Sequence, residues 1–102
     1  MLKKTSRLRH LLQSGEVLAC PGVYDAYTAK IAEKVGFDAV YMTGYGVSVT
    51  SLGMPDVGLT TMTEMHDAAR RMANATSIPI IADADTGYGN AINVMRTVTE
   101  YI

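Results

Sequence analysis

The 102-residue sequence contains a single cysteine, Cys20, and no excess of charge of either sign. One cysteine excludes an internal disulfide and a zinc site built from several cysteines. The nine basic and ten acidic residues give a net charge of −1, and neither sign clusters along the chain. This balance argues against a nucleic-acid-binding surface and against a polybasic membrane-binding surface.

Long apolar runs are also missing. No stretch approaches the roughly 20 residues that a membrane-spanning helix needs. The basic residues at 3, 4 and 7 lead into an amphipathic segment, not into the continuous apolar core of a signal peptide. The hydrophobic fraction of 48% is ordinary for a globular protein, and the length allows one domain at most. We therefore expect a soluble cytoplasmic protein that binds neither nucleic acid nor membranes.

Hydrophobic periodicity predicts one helix followed by three strand–helix units. The predicted helices cover residues 6–13, 26–35 and 62–74, with a last helix starting at residue 91. The predicted strands cover residues 16–20, 39–42 and 78–82, whereas residues 47–52 fit either a short helix or an extended segment. Near-continuous apolar strands separated by amphipathic helices indicate an α/β fold with a parallel sheet.

Helix-capping residues support these boundaries. The predicted N-caps are Thr5 or Ser6 for the first helix, Asp25 for the second, Thr61 (with Glu64 in a capping box) for the third, and Asn90 for the last. Gly36 is expected to end the second helix. In such a sheet the carboxyl ends of all strands lie at the same edge, which is where α/β proteins bind ligands.

Two acids, Asp83 and Asp85, follow the third predicted strand. If the extended conformation continued, their side chains would point to one side with Cα atoms roughly 6–7 Å apart. Two like charges at the end of an apolar strand are unfavourable unless a cation or hydrogen-bond donors meet them. A divalent-metal site is the main hypothesis, and the alternative is that Asp83 ends the strand while Asp85 caps a turn.

Three ordered motifs carry a resemblance to a known family. They are Tyr-Met-Thr-Gly-Tyr-Gly at 41–46, Ser-Leu-Gly-Met-Pro-Asp-Val-Gly at 51–58 and Ile-Ile-Ala-Asp-Ala-Asp-Thr-Gly-Tyr-Gly at 80–89. In this order and at these separations they resemble the isocitrate lyase/phosphoenolpyruvate mutase superfamily. A small flavodoxin-like sheet is the alternative fold, although it would leave the two acids without the phosphate-binding glycines of such sheets.

The resemblance implies an N-terminal helix plus the first three β/α units of a (β/α)8 barrel of the TIM type, with parallel strands. Residues 1–102 are then expected to form the N-terminal part of a single barrel domain. The last predicted helix has no capping or breaking residue at its end, which also indicates a truncated chain. Members of the superfamily assemble as tetramers, so a homo-oligomer is expected.

The resemblance also assigns roles to individual residues. Asp83 and Asp85 match acids that bind Mg²⁺, which Mn²⁺ can replace, and Asp83 also faces the substrate. Thr43, Gly44 and Tyr45 match the segment that holds the substrate carboxylate.

Two further positions have matches in the superfamily. Tyr41 matches a substrate-pocket position, and Asp56 matches a catalytic acid on a mobile loop over the site. Tyr45 stands where the methylisocitrate lyases have glycine, which favours a smaller or different substrate.

The implied function is an Mg²⁺-dependent carbon–carbon lyase that cleaves a 2-hydroxy or 2-oxo dicarboxylate through an enolate. The alternatives within the superfamily are an oxaloacetate decarboxylase and a phosphonate-forming phosphoenolpyruvate mutase. The lyases of the superfamily use a Lys-x-Cys-Gly-His segment that does not occur in these 102 residues. A non-catalytic, oligomerising barrel fragment is therefore the alternative from another class.

Overall fold

Three short parallel strands form the centre of the computed structural model, which describes residues 2–102. Strand β1 (Gly22–Val23) pairs with β2 (Val40–Met42), and β2 pairs with β3 (Ile80–Ala82). The α-helices are α1 (Lys4–Gln13), α2 (Ala26–Val35), α3 (Gly44–Val47), α4 (Met62–Ala75) and α5 (Ala91–Tyr101). The predicted α/β class with a parallel sheet is confirmed.

Side chains cap three of the helices as the sequence predicts. Asp25 forms a reciprocal capping box with Thr28 at the start of α2, and Thr61 does the same with Glu64 at the start of α4. Asn90 caps α5. Each box satisfies backbone N–H groups that the first helical turn leaves without partners.

Two predictions near the N-terminus are wrong. Helix α1 begins two residues earlier than expected, with Lys3 at the N-cap and no side-chain cap, so neither Thr5 nor Ser6 caps it. Residues 16–20 form no strand, and Val17 is 99% exposed. The register sets Gly22 opposite Tyr41, and β2 begins only at Val40, so residues before Pro21 have no strand to pair with.

The ambiguous segment after β2 is helical. Helix α3 continues directly into a π-helix at Ser48–Leu52, and Gly53 ends it in the left-handed conformation with φ +62°. An irregular segment that carries Asp56 then leads to α4. The π-helix widens the last turn before this segment, a distortion that is frequent near functional sites.

The hydrophobic core lies on one face of the sheet. Val23, Val40 and Met42 are buried there under small residues of α2 and the methionines of α4. Tyr41 and Ile81 alternate with these core positions and therefore point to the opposite face, where each keeps 37% of its surface exposed. The sheet thus presents one packed face and one open face within the described residues.

The edge of the sheet opposite the strand carboxyl ends is held by polar contacts between distant elements. The Lys4 ammonium on α1 donates hydrogen bonds to the Ala73 and Thr76 carbonyl oxygens at the end of α4. The Glu33 carboxylate near the end of α2 accepts hydrogen bonds from the backbone N–H (2.8 Å) and hydroxyl of Ser77. Among residues 2–102, no helix has the length and apolar character that crossing a bilayer requires.

Candidate active site at the carboxyl ends of the strands

The Asp83 carboxylate is the centre of the polar cluster at the carboxyl ends of β2 and β3. Its Oδ2 atom accepts hydrogen bonds from the Gly44 backbone N–H at 3.2 Å and the Tyr41 hydroxyl at 3.3 Å. Its Oδ1 atom accepts a hydrogen bond from the Asp85 backbone N–H at 2.8 Å. Three donors from two strand ends therefore fix the orientation of the carboxylate.

The close approach of the Asp83 carboxylate requires a glycine at position 44. A Cβ atom at Gly44 would lie 2.4 Å from Asp83 Oδ2 and 3.0 Å from Asp83 Cγ, far inside van der Waals contact. Gly44 is also the first residue of α3, so the carboxylate lies at the N-terminus of the helical segment. Anionic groups are favoured at that end of a helix because its first N–H groups have no intrahelical acceptors.

Asp85 reaches the site through a turn, not through a continuing strand. Strand β3 ends at Ala82, and Asp85 has the left-handed backbone conformation with φ +47°. Strand alternation therefore does not apply to Asp85, and the expectation based on extended geometry is wrong. The hydrogen bond from the Asp85 N–H to Asp83 closes this turn, and it brings the two acids together by a local mechanism instead.

The two acids fit an Mg²⁺ ion that keeps water or substrate oxygens in its remaining positions. The Asp85 side chain is exposed, and no hydrogen bond to its carboxylate occurs within residues 2–102. The same residues contain no cluster of three or more histidine, cysteine or acidic side chains that would enclose an ion by themselves. Mg²⁺ typically binds only one or two protein carboxylates and keeps several water molecules. Two acids therefore suit Mg²⁺ better than they suit an ion that the protein encloses completely.

Tyr88 anchors the loop that follows the two acids. Its backbone is left-handed with φ +63°, and its ring packs against the hydrophobic core. Burial raises the pKa of the Tyr88 hydroxyl well above its ordinary value of 10.0, and the nearby Tyr101 adds to the shift. The phenol therefore stays protonated at neutral pH, and the loop is fixed by an uncharged aromatic ring.

The predicted carboxylate-binding segment lies directly beside Asp83. The Thr43 hydroxyl caps α3 by accepting a hydrogen bond from the Gly46 N–H at 3.1 Å. The Gly44 N–H, expected to contact substrate, donates to Asp83 instead. The Tyr45 N–H has no acceptor in the described part of the chain, and the Tyr45 side chain is 63% exposed at the rim.

The Tyr41 hydroxyl donates to Asp83, and nearby charges affect its pKa. Burial raises the pKa of the Tyr41 hydroxyl, and the Asp83 charge, its hydrogen bond and the Asp56 charge raise it further. The hydroxyl therefore remains a donor at neutral pH. Asp56 itself is exposed.

Sequence reasoning overlooked one residue of this region, Ser48. It is 1% exposed and donates hydrogen bonds to the carbonyl oxygens of Met54 and Pro55 in the Asp56 loop. A serine within an apolar stretch that fits two conformations gives no periodic signal, so only the helical geometry of the segment reveals its contacts.

The fold and the cluster define a parallel β/α protein with paired acids and a glycine-containing helix start at the ligand-binding edge. The model of the phosphoenolpyruvate phosphomutase family matches residues 8–102. The chain belongs to this family, within the isocitrate lyase/phosphoenolpyruvate mutase superfamily. Curated relatives across the superfamily are lyases and mutases, so the chain is part of a carbon–carbon lyase family of enzymes.

A similar curated protein is 2,3-dimethylmalate lyase of Eubacterium barkeri. It is 55% identical over 100 residues, which cover 98% of this chain and 35% of the lyase. The chain therefore spans about a third of the length of the curated relatives that it matches.

Solved structures of the superfamily superpose closely on this chain. Oxaloacetate acetylhydrolase matches with a TM-score of 0.91 and 44% identity, covering 97% of this chain and 36% of that protein. A phosphonopyruvate hydrolase structure in complex with oxalate and Mg²⁺ matches with a TM-score of 0.92 and 36% identity, covering 98% of this chain and 35% of that protein. The fold is thus the N-terminal part of the superfamily's barrel-like fold.

Proposed function

We propose that the chain provides the metal-binding and carboxylate-binding part of an Mg²⁺-dependent carbon–carbon lyase that acts on a 2-hydroxy or 2-oxo dicarboxylate. The observation that carries this proposal is the Asp83 carboxylate, held by Tyr41, Gly44 and Asp85 at the carboxyl ends of the strands. Similarity to a dimethylmalate lyase supports this reaction class, and similarity to a hydrolase solved with oxalate and Mg²⁺ supports the choice of metal.

In this proposal Asp83 and Asp85 hold the ion, and Mn²⁺ can substitute for Mg²⁺. The bound metal supplies Lewis-acid stabilisation of negative charge that develops on the oxygen beside the breaking carbon–carbon bond. The Tyr41 hydroxyl and the Gly44 N–H fix the Asp83 carboxylate, so that the remaining lone pair of its Oδ1 atom points in a constant direction.

The substrate carboxylate is proposed to bind beside the metal at the start of α3. The Tyr45 N–H is free there, and the Thr43 hydroxyl can still donate its proton because its hydrogen bond with Gly46 uses the oxygen as acceptor. Asp56 approaches from its loop and contacts the substrate or water near Tyr41, which is the catalytic position we propose for it. The exposed Tyr45 ring narrows the rim and favours a small substrate.

An oxaloacetate-cleaving or phosphonate-converting enzyme is the second candidate. It is favoured by the similarity to oxaloacetate acetylhydrolase and phosphonopyruvate hydrolase, together with the bulky Tyr45 at the rim. A cytoplasmic homo-oligomer belongs to both versions of the proposal.

The decisive experiment compares the Asp85→Asn variant with the wild type, both expressed from the full coding sequence. Turnover is measured with 2,3-dimethylmalate, 2-methylisocitrate, oxaloacetate and phosphonopyruvate, with Mg²⁺ and with EDTA. The asparagine keeps the left-handed turn, because Asn tolerates it as well as Asp does, and it removes one ligand charge. Turnover should fall by roughly a hundredfold or more, since several kcal/mol of charge stabilisation are lost.

Asp38→Asn is the matched control, because Asp38 lies before β2 and pairs with Arg7 at the opposite edge of the sheet. It should leave turnover unchanged. Equal turnover in the Asp85→Asn protein and the wild type would refute the metal assignment. A wild-type protein that cleaves none of the four substrates would support the non-catalytic alternative.

A further inference from the structure

The segment Gly53–Gly58, which we call the Asp56 loop, has neither helix nor strand structure, yet its first residues are held tightly. It begins where the π-helix ends, at Gly53 with φ +62°. Ser48, the first residue of the π-helix, lies under it and is 1% exposed. A buried polar side chain avoids a loss of stability only when it is hydrogen-bonded, so the buried Ser48 hydroxyl needs acceptors.

Both polar groups of Ser48 contact the start of the Asp56 loop. The Ser48 hydroxyl lies 3.1 Å from the Met54 carbonyl oxygen and 3.2 Å from the Pro55 carbonyl oxygen. Its single proton is shared between these two acceptors. The Ser48 carbonyl oxygen accepts from the Gly53 N–H, and from the Met54 N–H at 3.4 Å. One residue therefore contacts three consecutive residues immediately before Asp56.

The position of Ser48 connects this loop to the acid cluster. Helix α3 runs directly into the π-helix, so Ser48 is continuous with Gly44, whose N–H donates to Asp83. The charge of Asp56 contributes to the raised pKa of Tyr41, which itself donates to Asp83. The helical segment thus contacts Asp83 at its beginning and the Asp56 loop at its end.

We propose that Ser48 is a positioning residue that holds the Asp56 loop against the helical segment whose first residue, Gly44, contacts Asp83, and that it acts on the reaction through Asp56. The role in turnover rests on the proposed lyase function, whereas the tether itself is a property of the fold. Met54 and Pro55 are exposed, so water replaces the lost donor when the hydroxyl is removed, and the loop is then held only by the backbone hydrogen bonds of Gly53 and Met54 while the core stays folded.

The first test measures the loop directly, by hydrogen exchange of the Gly53, Met54 and Val57 amides in wild type and Ser48→Ala. Exchange should accelerate by roughly threefold to tenfold, the factor expected for one lost hydrogen bond. Ser48→Cys keeps a similar volume with a weaker donor and should give an intermediate rate. Thr50→Ala is the control, because the Thr50 hydroxyl donates within the helix to the Gly46 carbonyl oxygen and should leave the loop amides unchanged.

The second test is a double-mutant cycle of Ser48→Ala with Asp56→Asn, measured as kcat/KM for the substrate that the protein turns over. If Ser48 acts through Asp56, Ser48→Ala should lower kcat/KM in the wild-type background and have little effect in the Asp56→Asn background. Equal effects in both backgrounds would overturn the coupling. Unchanged loop exchange in Ser48→Ala would overturn the tether, and this result does not depend on any turnover. Failure of the lyase proposal is therefore distinguishable from failure of this one.

Discussion

Gly44 shows how one missing side chain shapes the site. The space that its Cβ would take is filled by the Asp83 carboxylate, which accepts the Gly44 N–H from that position. The glycine is thus needed for a close approach of two segments, and not for an unusual backbone conformation. The Asp83 carboxylate can therefore occupy this position only because Gly44 has no side chain.

Gly44→Ala should destroy the arrangement of Asp83 while leaving the fold intact. The carboxylate can rotate away from the new methyl group, so we expect a stability loss of about 1 kcal/mol. The rotation gives up the hydrogen bonds from Gly44 and Tyr41, and Mg²⁺ affinity should fall roughly tenfold to a hundredfold. Titration calorimetry with Mg²⁺ and thermal denaturation measure the two quantities separately.

Gly22→Ala provides the control for this substitution. Its Cβ would lie 3.7 Å from Thr43 Cγ2, which is ordinary van der Waals contact. Mg²⁺ affinity in this variant should equal that of the wild type. An unchanged affinity in Gly44→Ala as well would show that the position of Asp83 does not depend on Gly44.

At the residue scale, the sequence predicted the strand end at which the two acids lie better than it predicted their backbone geometry. Asp83 lies at the predicted strand end because the apolar run at 78–82 stops directly before it. The left-handed turn at Asp85 depends on a hydrogen bond to a side chain two residues earlier, which composition and alternation do not encode. Ser48 was overlooked for a similar reason, since its partners follow from a π-helix that forms only in the folded context.

Among the elements, helices were predicted closely and strands less well. Helices α2, α4 and α5 carry capping boxes, which are local sequence signals, and their starts agree with prediction. A strand forms only beside a partner strand, and β1 is limited to the two residues that pair with β2. Residues 16–20 are apolar enough for a strand, but the chain offers them no neighbour.

The contact between α2 and the segment before β3 should make stability depend on pH. Hydrogen bonds from the Ser77 hydroxyl and N–H hold the pKa of Glu33 below its ordinary value of 4.5. The ionised carboxylate therefore stabilises the folded state above about pH 4.5, and this contribution is lost as the pH falls through the lower folded-state pKa. Glu33→Gln should be less stable than wild type at pH 7 and should lose less stability between pH 5 and pH 3.

Urea unfolding at a series of pH values measures this difference. Glu16→Gln is a suitable control, because the Glu16 side chain is exposed and forms no hydrogen bond within residues 2–102. Its unfolding curve should follow that of the wild type at every pH. Parallel curves for Glu33→Gln and the wild type would contradict the assignment of the pH dependence to Glu33.

At the scale of the molecule, the dominant feature of residues 2–102 is a sheet that is covered on one face only. Tyr41 and Ile81 lie on the open face, and the outer edge of β3 has no paired strand among the described residues. An unpaired edge beside exposed apolar side chains favours pairing with another chain.

We expect the 102-residue polypeptide, expressed by itself, to associate. Size-exclusion chromatography with light scattering should give a mass that is a multiple of 11.0 kDa. Ile81→Lys places a charge on β3 and should shift the population toward monomer, whereas Val17→Lys, at a residue that is 99% exposed in a loop, should have no effect. A well-folded monomer of the unsubstituted polypeptide would contradict the prediction.

The contact of Lys4 with the end of α4 has a consequence for the order in which the molecule is assembled during synthesis. Lys4 is made before its acceptors, Ala73 and Thr76, which follow it in the chain by 69 and 72 residues. At the roughly 5–20 residues per second of translation, α1 waits several seconds for its binding partner. Helix α1 therefore packs against the end of α4 only after this interval, and a chaperone that recognises exposed leucines has a defined time in which to bind it.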